Sequence, residues 1–555
     1  MSRNDAPDSP TRLPKVIGSD TELGNVIIGD AVREGLSGAR AAHALLDAVE
    51  GIGSYRNTLG WRLDAIGSDG YSQPGGSVSA PYGYNNPQDV GRKYLPANGG
   101  CCYIDLDHFE ICTPEATSAH DYVAAWHAML RISQKSLAKA NAGLPGDEQI
   151  VATVNNSDGH GSSWGSHLSI LVHRDLFQKL CIKPARLPFN YLMGFMASSI
   201  VYSGAGKVGA ENAHEFVPFQ IAQRADFFST LFGPQTTFNR PLVNTRNEPL
   251  CGAGNARQPD MSRLHVIFYD ATLAPVATYL KAGVLQIVLA MLEDGRANGR
   301  RHLVDPLSAL SAWSHDPDLK ARAMLTNGQK VTAVQHQLLV LEDIQAFVGA
   351  GAAAASVPEA AKIVALLADT LVKLEQRDWR GLMGRLDWVA RRLLIDSAIR
   401  SNGLGWGSAE AKHLDLLFAN LDPEQGLHWA LACDGLIEPV NSEAEIAHFT
   451  DNPPEDTRAW TRAMLLRRSG AAAIDRIDWD RIRLRLPGES SWSGRHTVSM
   501  GDPLGHGRAA AEATFLANRD LAELVEALGG HQAIWDTHIG SRPAAPVAPG
   551  WHAPD

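Results

Sequence analysis

Hydrophobic positions recur along this chain in two ways. Short apolar runs at "KVIGSD" (15–20), "CCYIDL" (101–106) and "RLHVIFYD" (263–270) predict strands, while "SAHDYVAAWHAMLRISQKSLAKAN" (118–141) and the segment from Leu273 to Asp294 carry helical periodicity. From about residue 355 the pattern is mostly helical until "IDWDRIRLRLPG" (477–488), which predicts one late strand. Strands and helices do not alternate regularly, and no internal repeat is present. The expected class is therefore α+β, an antiparallel sheet packed by helices rather than a doubly wound one.

Three stretches lack any period. The Pro- and Ala-bearing ends, 1–14 and 541–555, predict flexible tails, and "GSDGYSQPGGSVSAPYGYNNPQDVGRK" (67–93) predicts a long loop. Between the tails we expect a large catalytic domain over 15–430 and a smaller C-terminal domain over 431–540.

Composition narrows the partners. The chain has 555 residues, 45% hydrophobic and 20% charged, with a net charge of -11 and no basic block, so nucleic acid is not an expected partner. Six cysteines without a CxxC pair read as buried thiols of a reducing compartment. The polar start does not resemble a secretory signal, and no uncharged apolar run reaches the ~20 residues of a membrane span. A cytoplasmic location without a membrane partner is the expectation.

Charge then appears where the pattern predicts a strand. "GGCCYIDLDHFEICTPEA" (99–116) holds Asp105, Asp107, His108, Glu110 and Glu115 with no Lys or Arg to pair them. Tyr103 and Asp105 share a strand face, whereas Glu110 has the opposite parity; a bulge or turn around Asp107 to Phe109 would return it to that side. Upstream, Asp20 and Glu22 stand two apart, roughly 7 Å along one face. That spacing suits two carboxylates each holding one of two Mg2+ ions, and a solvated strand end equally. In "VNNSDGHGSSWGSHLSILVHR" (154–174), His167 is expected to point inward, as a structural group or a nucleotide or metal contact. Arg246 and Glu248 lie on the non-helical "RPLVNTRNEPL" (240–250), where a guanidinium could clamp phosphate. "GAGKVG" (204–209) lacks phosphate-loop spacing and reads as a tight turn.

Taken with "IGSDTELG", "YIDLDHFEICTPEAT", "QRADFFSTLFGPQTTFNRPLVNTRNEP", "RLHVIFYDATLAPVATYLKAG", "PPEDTRAWTRAMLLRR" and "IDWDRI", these segments resemble, in unbroken order, the Pup deamidase/depupylase (Dop) and Pup ligase (PafA) family. The resemblance implies a glutamine synthetase-like fold, ATP or ADP with Mg2+ as cofactors, and a Pup-like protein tag with its tagged proteins as partners. By position it implies metal contacts at Asp20, Tyr103 and Glu110, a catalytic aspartate at Asp105, and nucleotide contacts at Thr113 and Trp479. Glu22 and His167 would complete the metal shell, and Arg246 would face phosphate.

The sequence also departs from the family pattern. Asp20 is one methylene shorter than the usual Glu, Cys101 stands where the ligases have a nucleotide-contacting Arg, and Asn247 and Leu250 replace an acid and a His. "QRADFF", "ATYLK" and the long loop resemble the depupylase branch. The expected activity is thus hydrolysis at the C-terminal Gln or Glu side chain of the tag, with isopeptide ligation and a catalytically silent tag-binding homologue as alternatives.

Overall fold

In the computed structural model, residues 12–29, 37–53, 91–247, 250–251, 260–486, 488 and 495–532 are described. Residues 1–11 of the expected N-terminal tail, the whole of the C-terminal one, Glu248 and most of the 67–93 loop lie outside them.

The central element is a long strand, β1 (Ile17–Ile28), which pairs on both sides. After α1 (Ser37–Ala48) come β2 (Ile52–Gly53), β3 (Lys93–Tyr94), β4 (Cys101–Asp105), β5 (His108–Cys112), the long helix α2 (Ala119–Ala142), β6 (Gln149–Thr153) and β7 (Ser166–His173). With the Met261–Val266 strand at one edge they form an eight-stranded sheet, ordered Met261–Val266, β7, β1, β5, β4, β3, β2, with β6 on the second half of β1. All of its pairings are antiparallel. The antiparallel α+β expectation is thereby met.

Side-chain alternation gives the sheet two different faces. Leu23, Cys102, Phe109 and Ile111 point into a core shared with Ala41, Leu45, Trp126 and Leu130 of α1 and α2. α2 starts at Ser118, whose hydroxyl accepts from the Asp121 N–H at 3.0 Å. Asp20, Glu22, Tyr103 and Glu110 occupy the intervening positions and line a cleft on the other face.

Behind the sheet a second layer is built on two helices, Arg186–Ser203 and Pro275–Glu293, both nearly all buried. Pro275–Glu293 is long and apolar enough to cross a membrane, yet it sits in the main core against Arg186–Ser203 and Ala360–Gln376. It also carries Lys281, whose ammonium donates to the Asp270 carbonyl at 2.8 Å and the Thr272 hydroxyl at 3.1 Å.

Three expectations are corrected. Of the bulge or turn expected in the charged segment 101–112 the structure has the turn, one residue earlier, in a tight hairpin: Asp105 pairs with His108 across Leu106 and Asp107, and Tyr103 pairs with Glu110. Cross-strand partners share a face, so no bulge is needed to bring Glu110 round. "IDWDRIRLR" is likewise a hairpin, Ile474–Asp478 with Arg481–Arg485, continued by Arg495–Ser499 and His531–Gln532 into a four-stranded sheet. Of the cysteines, five are buried and Cys433 is exposed.

The C-terminal sheet shares a core with the edge of the large one, where Tyr94, Cys101, Tyr103 and Cys112 meet Trp460, Ile482, Leu484 and Val498. The seam is fastened by a buried acid. Glu115 accepts from Arg458 Nε at 2.7 Å and from Arg462 Nη1 at 3.2 Å, and pairs again with Arg462 Nη2. Burial pushes its pKa up, but Arg462 and Arg458 outweigh that and hold it at about 2. A depressed carboxyl contributes stability above its unfolded value, near 4.3, and loses it as pH falls towards 2. We expect on the order of 3 kcal/mol to disappear over that window. Denaturant unfolding at pH 6 and at pH 3, by which somewhat over half of that loss is expected, reads this, and Glu115→Gln should be much less acid-sensitive than wild type.

Candidate active site

The cleft between the large sheet and the C-terminal hairpin has a volume of about 480 Å³. Its floor is β1, β4 and β5, and its register explains the composition. Asp20 pairs with Cys112 on one side and His167 on the other, while Glu22 pairs with Glu110, which in turn pairs with Tyr103. Five of the residues singled out above thus lie on two rungs of the sheet, Asp20 with His167 and Glu22 with Glu110 and Tyr103.

The ligating atoms fall into two groups. Those of Glu22, Asp105 and Glu110 lie within 4.8 Å of one another, as do those of Asp20, His167 and His265. Asp20 Oδ2 contacts His167 Nδ1 at 3.0 Å and His265 Nε2 at 3.9 Å. The two imidazoles meet edge to face at 4.9 Å.

The electrostatics of the two groups differ. Burial pushes the Glu110 carboxyl well above the usual carboxylate range, reinforced by Asp20, Glu22 and Asp105, although the Tyr103 hydroxyl donates to Glu110 Oε1 at 2.5 Å. Glu22 is also raised, by burial and Asp105, against the opposing pull of His167 and Arg224. Asp20 goes the other way: burial would raise it, but His167 and His265 hold it below the ordinary range. Burial and Arg263 lower His265 to about 3. Neighbouring acids surround Glu110, whereas imidazoles contact Asp20.

These residues fit a divalent cation. Glu110 Oε2, His167 Nε2 and both His265 ring nitrogens are buried without a hydrogen-bond partner. Glu22, Asp105, Glu110 and Tyr103 supply hard oxygens of the kind Mg2+ takes, whereas Asp20, His167 and His265 make a mixed oxygen and nitrogen set. Gly165 keeps the space open: a Cβ there would stand 2.6 Å from His167 Nε2 and 2.7 Å from Glu22 Oε1. Gly165→Ala should therefore weaken divalent-cation binding by about 10–100-fold. Calorimetric titration with Mg2+ checks this, and wild-type affinity in the variant would show that the crowding is relieved elsewhere.

The residues expected to contact nucleotide also line the cleft. Thr113 continues β5, and its hydroxyl accepts from the Ser19 N–H at 2.9 Å while lining the cleft. Trp479 is at the turn of the C-terminal hairpin, edge-on to Tyr94 at 5.5 Å, with the Arg462 guanidinium 4.8 Å from its ring. Arg246 lines the rim, its backbone N–H bonded to Asn244 Oδ1 at 2.9 Å. Sequence reasoning missed His265, Arg92, Arg240 and Arg263. Arg92 lies 4.5 Å from the Tyr103 ring, and Arg240 Nε donates to the Thr236 carbonyl at 2.8 Å. A signal for His265 existed in "RLHVIFYD", since antiparallel pairing of that strand with β7 brings it beside His167.

With carboxylates at the floor and guanidiniums at the rim, the cleft suits a cation bound together with a polyanion. Residues 15–483 match the family described as Pup-ligase protein. The chain belongs to that family. Among curated relatives, a protein named depupylase from Acidothermus cellulolyticus is 34% identical over 444 residues, 80% of this chain and 85% of the relative. A Pup–protein ligase from Acidimicrobium ferrooxidans is 30% identical over 417 residues, 73% of this chain and 85% of the relative. A solved structure of the Pup ligase PafA in complex with ADP matches with a TM-score of 0.65 and 25% identity, over 79% of this chain and 90% of that one. The glutamine synthetase-like fold expected from the resemblance is the fold found. Pup-ligase family members named as hydrolases and as ligases thus both resemble this chain, and the family is one of enzymes acting on Pup tags.

Proposed function

We propose that the protein is a nucleotide- and Mg2+-dependent deamidase and isopeptidase acting on the C-terminal Gln or Glu side chain of a Pup-like tag, in the cytoplasm. The observation that carries this reading is the gathering of Asp105, Glu22 and Glu110 within 4.8 Å in the cleft of a chain 34% identical to a depupylase. The nucleotide part is supported by the ADP held by the PafA relative.

In this reading Glu22, Glu110 and Tyr103 hold one cation, and Asp20 and His167, with His265, hold a second. Bound Mg2+ and nucleotide would supply positive charge and an ordered polyphosphate beside the scissile carbonyl. Arg246 faces phosphate, Thr113 and Trp479 contact the nucleotide, and Arg462 orients Trp479 from behind. Asp105 supplies a charged carboxylate oxygen, which either adds to the side-chain carbonyl carbon or takes a proton from the attacking water. On either route water is consumed, the C–N bond breaks, and ammonia or a lysine amine leaves with the proton. The tag then ends in a glutamate carboxylate.

Release of ammonia from a synthetic tag ending in Gln tests the proposal. It should require both nucleotide and Mg2+; a tag that stays amidated with both bound would count against it. The ligase reading keeps one specific support, the 30% identical Pup–protein ligase, because the same residues would serve both directions.

A further inference from the structure

One residue of the cleft is out of keeping with its position. The turn between β4 and β5 has only Leu106 and Asp107 between the paired residues Asp105 and His108. Leu106 adopts a φ of 52°, the left-handed region that Gly or Asn enters readily and a branched apolar residue does not. Burial offers no compensation, because the residue is 70% exposed. The turn is held in place from behind, where Asn25 Nδ2 donates to the Asp107 carbonyl at 2.9 Å and the Phe109 N–H donates to Asn25 Oδ1 at 2.8 Å. A strained, exposed leucine thus lines the cleft one residue from Asp105. Neither turn formation nor core packing calls for leucine there.

We propose that Leu106 is a specificity-determining contact: its side chain seats the aliphatic stem of the lysine that leaves when an isopeptide bond is cut, an inference that rests on the hydrolytic reading above. A lysine side chain presents four methylenes ahead of its nitrogen, so an apolar group at the mouth beside the reacting carboxylate covers part of that stem. A carboxamide that releases only ammonia has no such stem. Leu106 therefore distinguishes the two substrates of one site, and acts on substrate binding, not on the reacting atoms. Strained backbone retained at a ligand contact is consistent with such a use.

The test compares two substrates in three proteins: wild type, Leu106→Asn, which accepts the left-handed backbone and removes the apolar side chain, and Leu106→Met, which keeps an apolar one. The readout is the ratio of kcat/KM for release of a lysine-linked protein to kcat/KM for release of ammonia from a tag ending in Gln. In Leu106→Asn that ratio should fall roughly tenfold through KM for the tagged protein. Its melting temperature should equal or exceed that of wild type, and Leu106→Met should restore most of the ratio. An unchanged ratio in Leu106→Asn, with both activities lost together or both retained, overturns the proposal. Absence of both activities from the wild-type protein is a different failure, because it overturns the hydrolytic reading itself.

Discussion

Asp105→Asn should lower turnover by about a thousandfold while nucleotide and tag still bind. The substitution keeps the shape and one oxygen of the side chain but removes the charge that attack on the carbonyl, or deprotonation of water, requires. Folding should be little affected, because Asp105 ends a strand and its side chain lines the cleft. Single-turnover release of ammonia, alongside calorimetric titration with nucleotide and Mg2+, separates chemistry from binding. Turnover near that of wild type would remove Asp105 from the reaction and leave the acidic hairpin without a catalytic purpose.

Replacing Glu110 should act with opposite signs on stability and binding. Its carboxyl is raised by burial and by three neighbouring acids, so the contribution to stability is present below the unfolded value near 4.3 and is lost as pH rises through the folded one. Metal-free protein should therefore become less stable between pH 5 and pH 8, and Mg2+ should restore stability most strongly at the upper end, because the cation displaces the proton. Glu110→Gln should flatten the pH dependence of the metal-free protein and weaken Mg2+-nucleotide binding by on the order of a hundredfold. Melting curves across pH with and without Mg2+ measure the first effect and titration the second. An unchanged Mg2+-nucleotide affinity in Glu110→Gln would place the cation elsewhere.

The parts of the site that follow from strand period were legible in the sequence. Asp20 and Glu22 share a face because the side-chain period of a strand is two, and Tyr103 and Asp105 for the same reason. The two hairpins were not legible as hairpins, and for a common cause. Their two-residue turns, Leu106–Asp107 and Trp479–Asp480, lack the Asn-Gly or Asp-Gly signature that announces such turns, so the first reads equally as a bulge or a turn and the second segment as one continuous strand. Glu110 was expected on the side of Tyr103 through a bulge or a turn, and the pairing of the two residues across the hairpin decides for the turn.

His265 shows the limit from another direction. An imidazole in an apolar strand reads as core, and what makes it a candidate ligand is the neighbouring strand that sets His167 and Asp20 beside it. The arginines of the rim are similarly a product of tertiary structure. Arg92, Arg240, Arg246, Arg263 and Arg458 come from widely separated segments and converge only when the cleft forms. Thr113 and Trp479 were reached through the family resemblance alone, because a threonine after a strand and a tryptophan between aspartates carry no local mark of nucleotide binding.

A hydrolase and a ligase of this family differ in the direction of the reaction at an isopeptide bond. Purified protein should be incubated with Mg2+ and ATP and, in parallel, with a lysine peptide already joined to the tag and with the free tag ending in Glu plus the same peptide, and the products read by mass. The joined species should be split into tag and free lysine peptide, and the free pair should stay unjoined. Net joining of the free pair, with the joined species left intact, would overturn the proposed hydrolytic activity.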